Sequence, residues 1–229
     1  MRPLGSLLVL LLATASAFAG HYVADTPLDL RALLTPPPAA DSLVTSAELD
    51  VVLQLQELRT PALAKRAQEI ENETLFSFAS DVTGPWFKAE SLPQTAALFA
   101  AVREDFIPVN RASKALWPRK RPPYTDARVK PCVEFSDSGA YPSGHGIQSA
   151  LWAVLLAELL PDHAAGFQNR ARETRRLKLF TGVHYPSDLE AGRIVGEALA
   201  REMLKSPALQ QALAEARAEI AAAAPRREL

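Results

Sequence analysis

Three short clusters in the sequence carry side chains suited to holding and cleaving a phosphate ester. The first is Lys114 with Arg121-Pro122, six residues lying between the lysine and the arginine. The second is Pro142-Ser143-Gly144-His145. The third is Lys178, His184 and Asp188 within Lys-Leu-Phe-Thr-Gly-Val-His-Tyr-Pro-Ser-Asp. Taken singly, each has an ordinary reading. The cations suit a solvated surface, His145 suits a helix start, His184 suits a core imidazole bonded to a carbonyl, and Asp188 suits the first turn of a helix. Taken together they meet one demand. A phosphoryl group in transfer spreads charge over its equatorial oxygens, so it needs fixed cations and backbone N–H donors. It also needs a nucleophile in line and an acid on the leaving oxygen. Ser143-Gly144-His145 opens a helix, whose free amides and dipole form an anion site, and Gly144 lets the backbone approach. His145 stands where it can protonate a leaving alkoxide. His184 and Asp188 flank a helix start at Pro186, so the carboxylate can hold one ring nitrogen as N–H and free the other to attack.

The elements that must position these groups are helices punctuated by proline. Residues 20–41 read as an extended, proline-rich N-terminal arm ending in Pro36-Pro37-Pro38. Ser42 caps a helix carrying Leu49, Val52, Leu53 and Leu55. Pro61 opens a second, running toward Phe78, and Pro93 a third. Another helix after Pro108 carries Arg111, Lys114 and Ala115. Residues 118–142, with five prolines, read as loop. Helices follow at 144–160, at 162–183, from Pro186 to about 204, and from Pro207. No sustained period-2 alternation and no Asn-Gly or Asp-Gly turn marks a strand. The expectation is an all-α single-domain helical bundle over 20–229 that includes the N-terminal arm.

The order and spacing of the clusters resemble the tripartite signature of the phosphatidic acid phosphatase type 2 superfamily: Lys-x6-Arg-Pro, Pro-Ser-Gly-His, then a basic residue followed by His-x3-Asp. The string Asp137 to His145, the Pro36-Pro37-Pro38 segment and Gly182 to Asp188 are similar to the exported class A bacterial non-specific acid phosphatases within it. The resemblance implies roles. Lys114, Arg121 and Lys178 hold phosphate oxygens, with Ser143 and the Gly144 amide completing the cradle. His145 is the general acid. His184 is the nucleophile, passing through a phosphohistidine, and Asp188 orients it. No metal or other cofactor is implied. The chain departs from the pattern at Leu177-Lys178, where the family has Ser-Arg. Lysine keeps the charge but loses the fork that grips two oxygens. Arg175, one turn earlier, and the adjacent Arg176 are candidates to compensate.

Composition narrows the alternatives. With 25 Lys+Arg against 26 Asp+Glu, the net charge of −1 disfavours a bulk nucleic-acid binder. The single cysteine, Cys132, excludes an intramolecular disulfide and a cysteine zinc cage and reads as a small hydrophobe. His21 and His163 read as surface residues. Arg2, the apolar run around Leu7 to Leu12 and Ala17-Phe18-Ala19 form a secretory signal peptide over 1–19, implying a periplasmic or secreted protein. No later apolar stretch reaches the ~20 residues of a membrane span, which disfavours a membrane lipid phosphatase and stable membrane insertion. The leading expectation is an acid phosphatase acting on small phosphomonoesters. A vanadate-dependent haloperoxidase and a non-catalytic phosphate-binding relative remain as alternatives. The sequence leaves a homo-oligomer open.

Overall fold

Proline and hydroxyl caps set where the helices begin. Ser42, Thr60, Thr74, Ser143 and Ser206 each accept a hydrogen bond from a backbone amide of the helix they precede. Proline opens the helices at 61, 93, 186 and 207. The computed structural model describes residues 21–23 and 28–225; the leader read at 1–19 lies outside them. The described residues form nine α-helices and no strand. They are α1 (Leu30–Leu33), α2 (Leu43–Glu57), α3 (Pro61–Glu69), α4 (Leu75–Thr83), α5 (Pro93–Leu116), α6 (Gly144–Leu159), α7 (Ala164–Phe180), α8 (Pro186–Met203) and α9 (Pro207–Ala223). The all-α expectation holds. None of these helices is long and apolar enough to cross a membrane.

Three expectations need correction. The helix from Pro61 toward Phe78 is two helices, separated by a 3-10 turn at Ile70–Asn72. Thr74 stops one and starts the other: its hydroxyl accepts from the Ser77 amide while the Ser77 hydroxyl accepts from the Thr74 amide. Conversely, α5 runs unbroken through Pro108. Pro108 removes a donor for the Glu104 carbonyl, but both residues lie on the exposed face, where water replaces the lost bond. The arm is not wholly extended. Asp29 caps α1, whose Leu30 joins Leu34, Trp117, Tyr141, Ile147 and Val195 in a small buried cluster. The Tyr141 hydroxyl, donating to the Thr35 carbonyl at 2.7 Å, fastens the arm to the body.

α6 is apolar all round because it is the centre of the molecule. Leu151, Leu155, Leu156 and Leu159 meet Phe78 of α4, Phe99 of α5, Phe167 of α7, Leu199 of α8 and Leu213 of α9 in the main core. α9 also closes the start of α5, its Glu219 carboxylate accepting from the Gln94 and Thr95 amides at 2.8 and 2.9 Å. The tightest packing is between α6 and α8. A Cβ on Gly196 would stand 2.2 Å from the Ile147 carbonyl oxygen, and one on Gly192 would stand 2.6 Å from that of Ser143. Only glycine permits that approach.

Gly196→Ala is therefore expected to lower stability by about 1–3 kcal/mol, the usual range for forcing a methyl group into a packed interior. Urea unfolding measures this. An unchanged midpoint would show that α6 and α8 part without cost.

Candidate active site

The starts of α6 and α8 are tied together by backbone. The Ser143 amide donates to the Asp188 carbonyl at 2.8 Å. Ser143 caps α6, its hydroxyl accepting from the Gly146 amide, so Gly144 and His145 carry the first amides of the helix. Both residues line a cavity of about 310 Å³. On the α8 side, the Tyr185 amide donates to Asp188 Oδ2 at 2.7 Å, and His184 Nδ1 lies 3.4 Å from the same oxygen. With the proton on Nδ1, Nε2 carries the free electron pair.

The cations reach the cavity from three other elements. Lys114, in the last turn of α5, donates to the Gly139 and Pro142 carbonyls at 2.7 and 2.9 Å, which leaves its third N–H for the cavity. Arg121, in the loop after α5, donates to the Ser138 and Val183 carbonyls, and its Nη1 lies 3.1 Å from His184 Nε2. Lys178, in the last turn of α7, is buried and hydrogen-bonded to the Glu71 carboxylate.

Six of the eight site residues expected from sequence thus face one cavity: Lys114, Arg121, Gly144, His145, Lys178 and His184. Ser143 and Asp188 are fully buried behind it and do not line it. Arg175 and Arg176, weighed as substitutes for the missing arginine, do not reach it either. Cys132 is half-buried with its Sγ 3.7 Å from the Phe180 carbonyl, His21 is exposed, and His163 is half-buried away from the cavity.

Several groups at the site were not foreseen. Arg119 donates to Asp188 Oδ1 and to Glu48 Oε2, both at 2.7 Å, and its guanidinium stacks 3.9 Å above the Tyr185 ring. Glu48 in turn accepts from the Ser187 amide at 2.7 Å. The Arg119-Lys120-Arg121 run was the available signal. Glu71, Asn110 and Gln148 also line the cavity, and Asn110 Oδ1 is buried without a hydrogen-bond partner among the described residues.

Burial and positive charge dominate the titration of the site. Burial, then Arg121, Lys178 and Lys114, hold His184 well below the ordinary histidine range. Burial and then Lys178 push His145 down to about 4. Lys114 falls to about 8, through burial and then Arg121. Burial raises the Asp188 carboxyl, against the pull of Arg119 and the Tyr185 amide. The arrangement offers a neutral imidazole backed by a carboxylate, a second imidazole, and three cations around a space with room for a phosphate group and part of its ester. Among the described residues, no three His, Cys, Asp or Glu side chains are grouped as a metal ion would need.

Folded His145 stays neutral down to about pH 4, while an unfolded histidine takes up a proton near ~6.5. Its contribution to stability is therefore full above ~6.5, is lost as pH falls, and is gone by about 4, a total of about 3 kcal/mol. In phosphate-free buffer the melting temperature should fall across this window, and His145→Gln should flatten the fall. An equal slope in the variant would refute the assignment.

The PAP2 superfamily model matches residues 95–211, more than half of the chain. Over 184 residues the chain is 29% identical to a protein of Zymomonas mobilis subsp. mobilis named acid phosphatase, covering 76% of this chain and 67% of that one. Over 222 residues it is 24% identical to the non-specific acid phosphatase of Salmonella typhi, covering 93% and 89%. Among solved structures it is similar in fold to a transmembrane PAP2 type phosphatidylglycerolphosphate phosphatase from Bacillus subtilis. The TM-score is 0.56 at 19% identity, over 72% of this chain and 87% of that one.

Proposed function

The chain belongs to the PAP2 superfamily, the phosphatidic acid phosphatase type 2 group, and from that premise we propose that it is an acid phosphatase that hydrolyses small phosphomonoesters through a phosphohistidine on His184. The observation that carries this reading is the meeting of Lys114, Arg121, Lys178, His145 and His184 in one cavity, with Asp188 behind the last. The names of the acid phosphatase relatives support the reaction class.

In the first step, His184 Nε2 attacks phosphorus. A P–N bond forms as the P–O ester bond breaks, and His145 gives its proton to the departing alkoxide. Asp188 holds the Nδ1 proton of His184 and stabilises the ring as positive charge develops on it. Arg119 and the Tyr185 amide fix that carboxylate. Lys114, Arg121, Lys178 and the first amides of α6 take up charge on the equatorial oxygens. In the second step, water attacks phosphorus, the P–N bond breaks, His145 takes the proton and inorganic phosphate leaves. No step calls for a metal ion.

The low proton affinity of His184 keeps the nucleophile active in acid. His145 must be protonated for the first step, yet sits at about 4 in the structure. The charge of the bound phosphate raises it, so the alkaline limb of kcat should lie above pH 4 and the optimum on the acid side, at about pH 5–6.5. Export to the periplasm or medium belongs to the proposal and rests on the leader pattern at 1–19. The partners are small phosphate esters.

The test is the purified protein on a panel of phosphomonoesters from acid to neutral pH, with EDTA present. Turnover should persist, and His184→Ala should lose at least about three orders of magnitude and leave no trappable phosphoenzyme. His145→Ala should still accumulate phosphoenzyme from aryl phosphates, whose leaving groups need no proton. Activity that disappears in chelator and returns with zinc or magnesium overturns the scheme. Leu177-Lys178, in place of the family's Ser-Arg, favours one second reading, phosphate binding without turnover, which the same assay separates.

A further inference from the structure

Glu71 lies in none of the three clusters, yet it lines the cavity and its carboxylate bonds one of the cations there. The other two cations spend their donors on neutral groups: Lys114 on carbonyls, Arg121 on carbonyls, a hydroxyl and an imidazole nitrogen. Glu71 sits in the 3-10 turn between α3 and α4, and α7 presents a stripe of polar residues to that turn. Arg170, Thr174 and Lys178 lie four residues apart on one face and all three are buried. Glu73 takes the first two: it pairs with the Arg170 guanidinium and accepts from the Thr174 hydroxyl at 3.2 Å. Asp81 of α4 adds a contact to Arg170 at 2.8 Å. This sets the register of the turn on α7 and brings Glu71 to Lys178.

We propose that Glu71 is a positioning residue for the phosphate site: it tethers the Lys178 ammonium at the cavity wall and trims the positive charge that meets the substrate. The inference rests on the phosphatase reading and deepens it. A lysine is a point charge on a four-carbon stem, without the planar fork that fixes an arginine. A tether to a carboxylate supplies the missing geometry. It uses one N–H of the three and leaves two for phosphate oxygens. The charge balance changes too. Lys114 of α5, Arg121 of the following loop and Lys178 of α7 face the cavity, together with His145 and His184. On the acidic side stand Glu71 and the exposed Glu134, with Asp188 of α8 behind, already paired with Arg119, and the Cys132 thiol beside Lys178. Glu71 is thus the acid in contact with the cation shell. It also favours the protonated form of His145.

Two substitutions separate the tether from the charge. Glu71→Gln keeps an acceptor for Lys178 and removes the charge; Glu71→Ala removes both. Inorganic phosphate binding by calorimetry on the full protein should tighten about tenfold in Glu71→Gln. The alkaline limb of kcat should move to lower pH, because His145 loses a neighbour that favours its proton. Glu71→Ala should bind phosphate and turn over substrate about tenfold less well than Glu71→Gln. That difference should vanish when both are made in a Lys178→Ala background. A general loss of structure would not tighten phosphate, shift the limb or depend on Lys178. The proposal is overturned if Glu71→Gln binds phosphate no more tightly than wild type, or if the Ala–Gln difference persists without Lys178. If wild type binds phosphate but hydrolyses no ester, the phosphatase reading fails while the binding arms still decide the role of Glu71. If wild type binds no phosphate, both fail.

Discussion

The close contact between α6 and α8 is the constraint on which the site depends. Gly192 and Gly196 bring the two backbones to distances that no Cβ would tolerate. Each helix begins next to the other, joined by the bond from the Ser143 amide to the Asp188 carbonyl. The start of α6 leaves unpaired amides and a positive dipole end at the cavity, whereas the amides at the start of α8 are taken by the Asp188 and Glu48 carboxylates. His145 in the first turn of α6 and His184 just ahead of α8 are brought to one cavity by this contact rather than by any contact of their own. The apolar shell of α6 then makes the arrangement stiff, because its other faces are occupied by α4, α5, α7 and α9.

A second layer of order comes from buried charge. Asp188 is fully buried, and a lone carboxylate there would be expensive. Arg119 offsets that cost and is itself neutralised by Glu48, giving a chain Glu48–Arg119–Asp188–His184 that runs from α2 to the cavity. Of the three cavity cations Lys178 pairs with a carboxylate, that of Glu71, while Lys114 and Arg121 bond neutral groups. Burial and mutual repulsion lower Lys114 and hold both histidines neutral. The cavity wall therefore carries more positive than negative charge, which suits it to an anion.

The parts of this design legible in the sequence are those written at short range. Caps and prolines marked most helix starts, and the cluster spacing picked out six residues that do share a cavity. Pro108 misled because its cost depends on whether the freed Glu104 carbonyl meets water, a matter of which face is exposed. Thr74-x2-Ser77 was readable as a capping box and would have divided the helix at 70–74. Arg119, Glu48 and Glu71 were hidden for a different reason. Their partners lie 69, 71 and 107 residues away, and a charged residue reads the same in sequence whether it meets solvent or a buried counter-ion. The glycines at 192 and 196 were visible as a small-x3-small pair, but only the partner helix gives that spacing meaning.

The replacement of the family's arginine by Lys178 takes on a different sense beside Glu71. A phosphatase gains nothing from holding its ground state and product more tightly, since binding that is equal in substrate, transition state and product leaves the chemical step unchanged and slows release. Three unopposed cations around phosphate would tend to that fault. A carboxylate on one of them lowers the affinity for a free dianion. The two remaining N–H donors of Lys178 stay aimed at oxygens whose charge is redistributed as the ester bond breaks. The division of α3 from α4 is what allows this: an uninterrupted helix from 61 to 83 could not turn both Glu71 and Glu73 toward α7, because residues two apart on a helix face different ways. The break that the apolar spacing did not reveal is the feature that carries the carboxylate into the site.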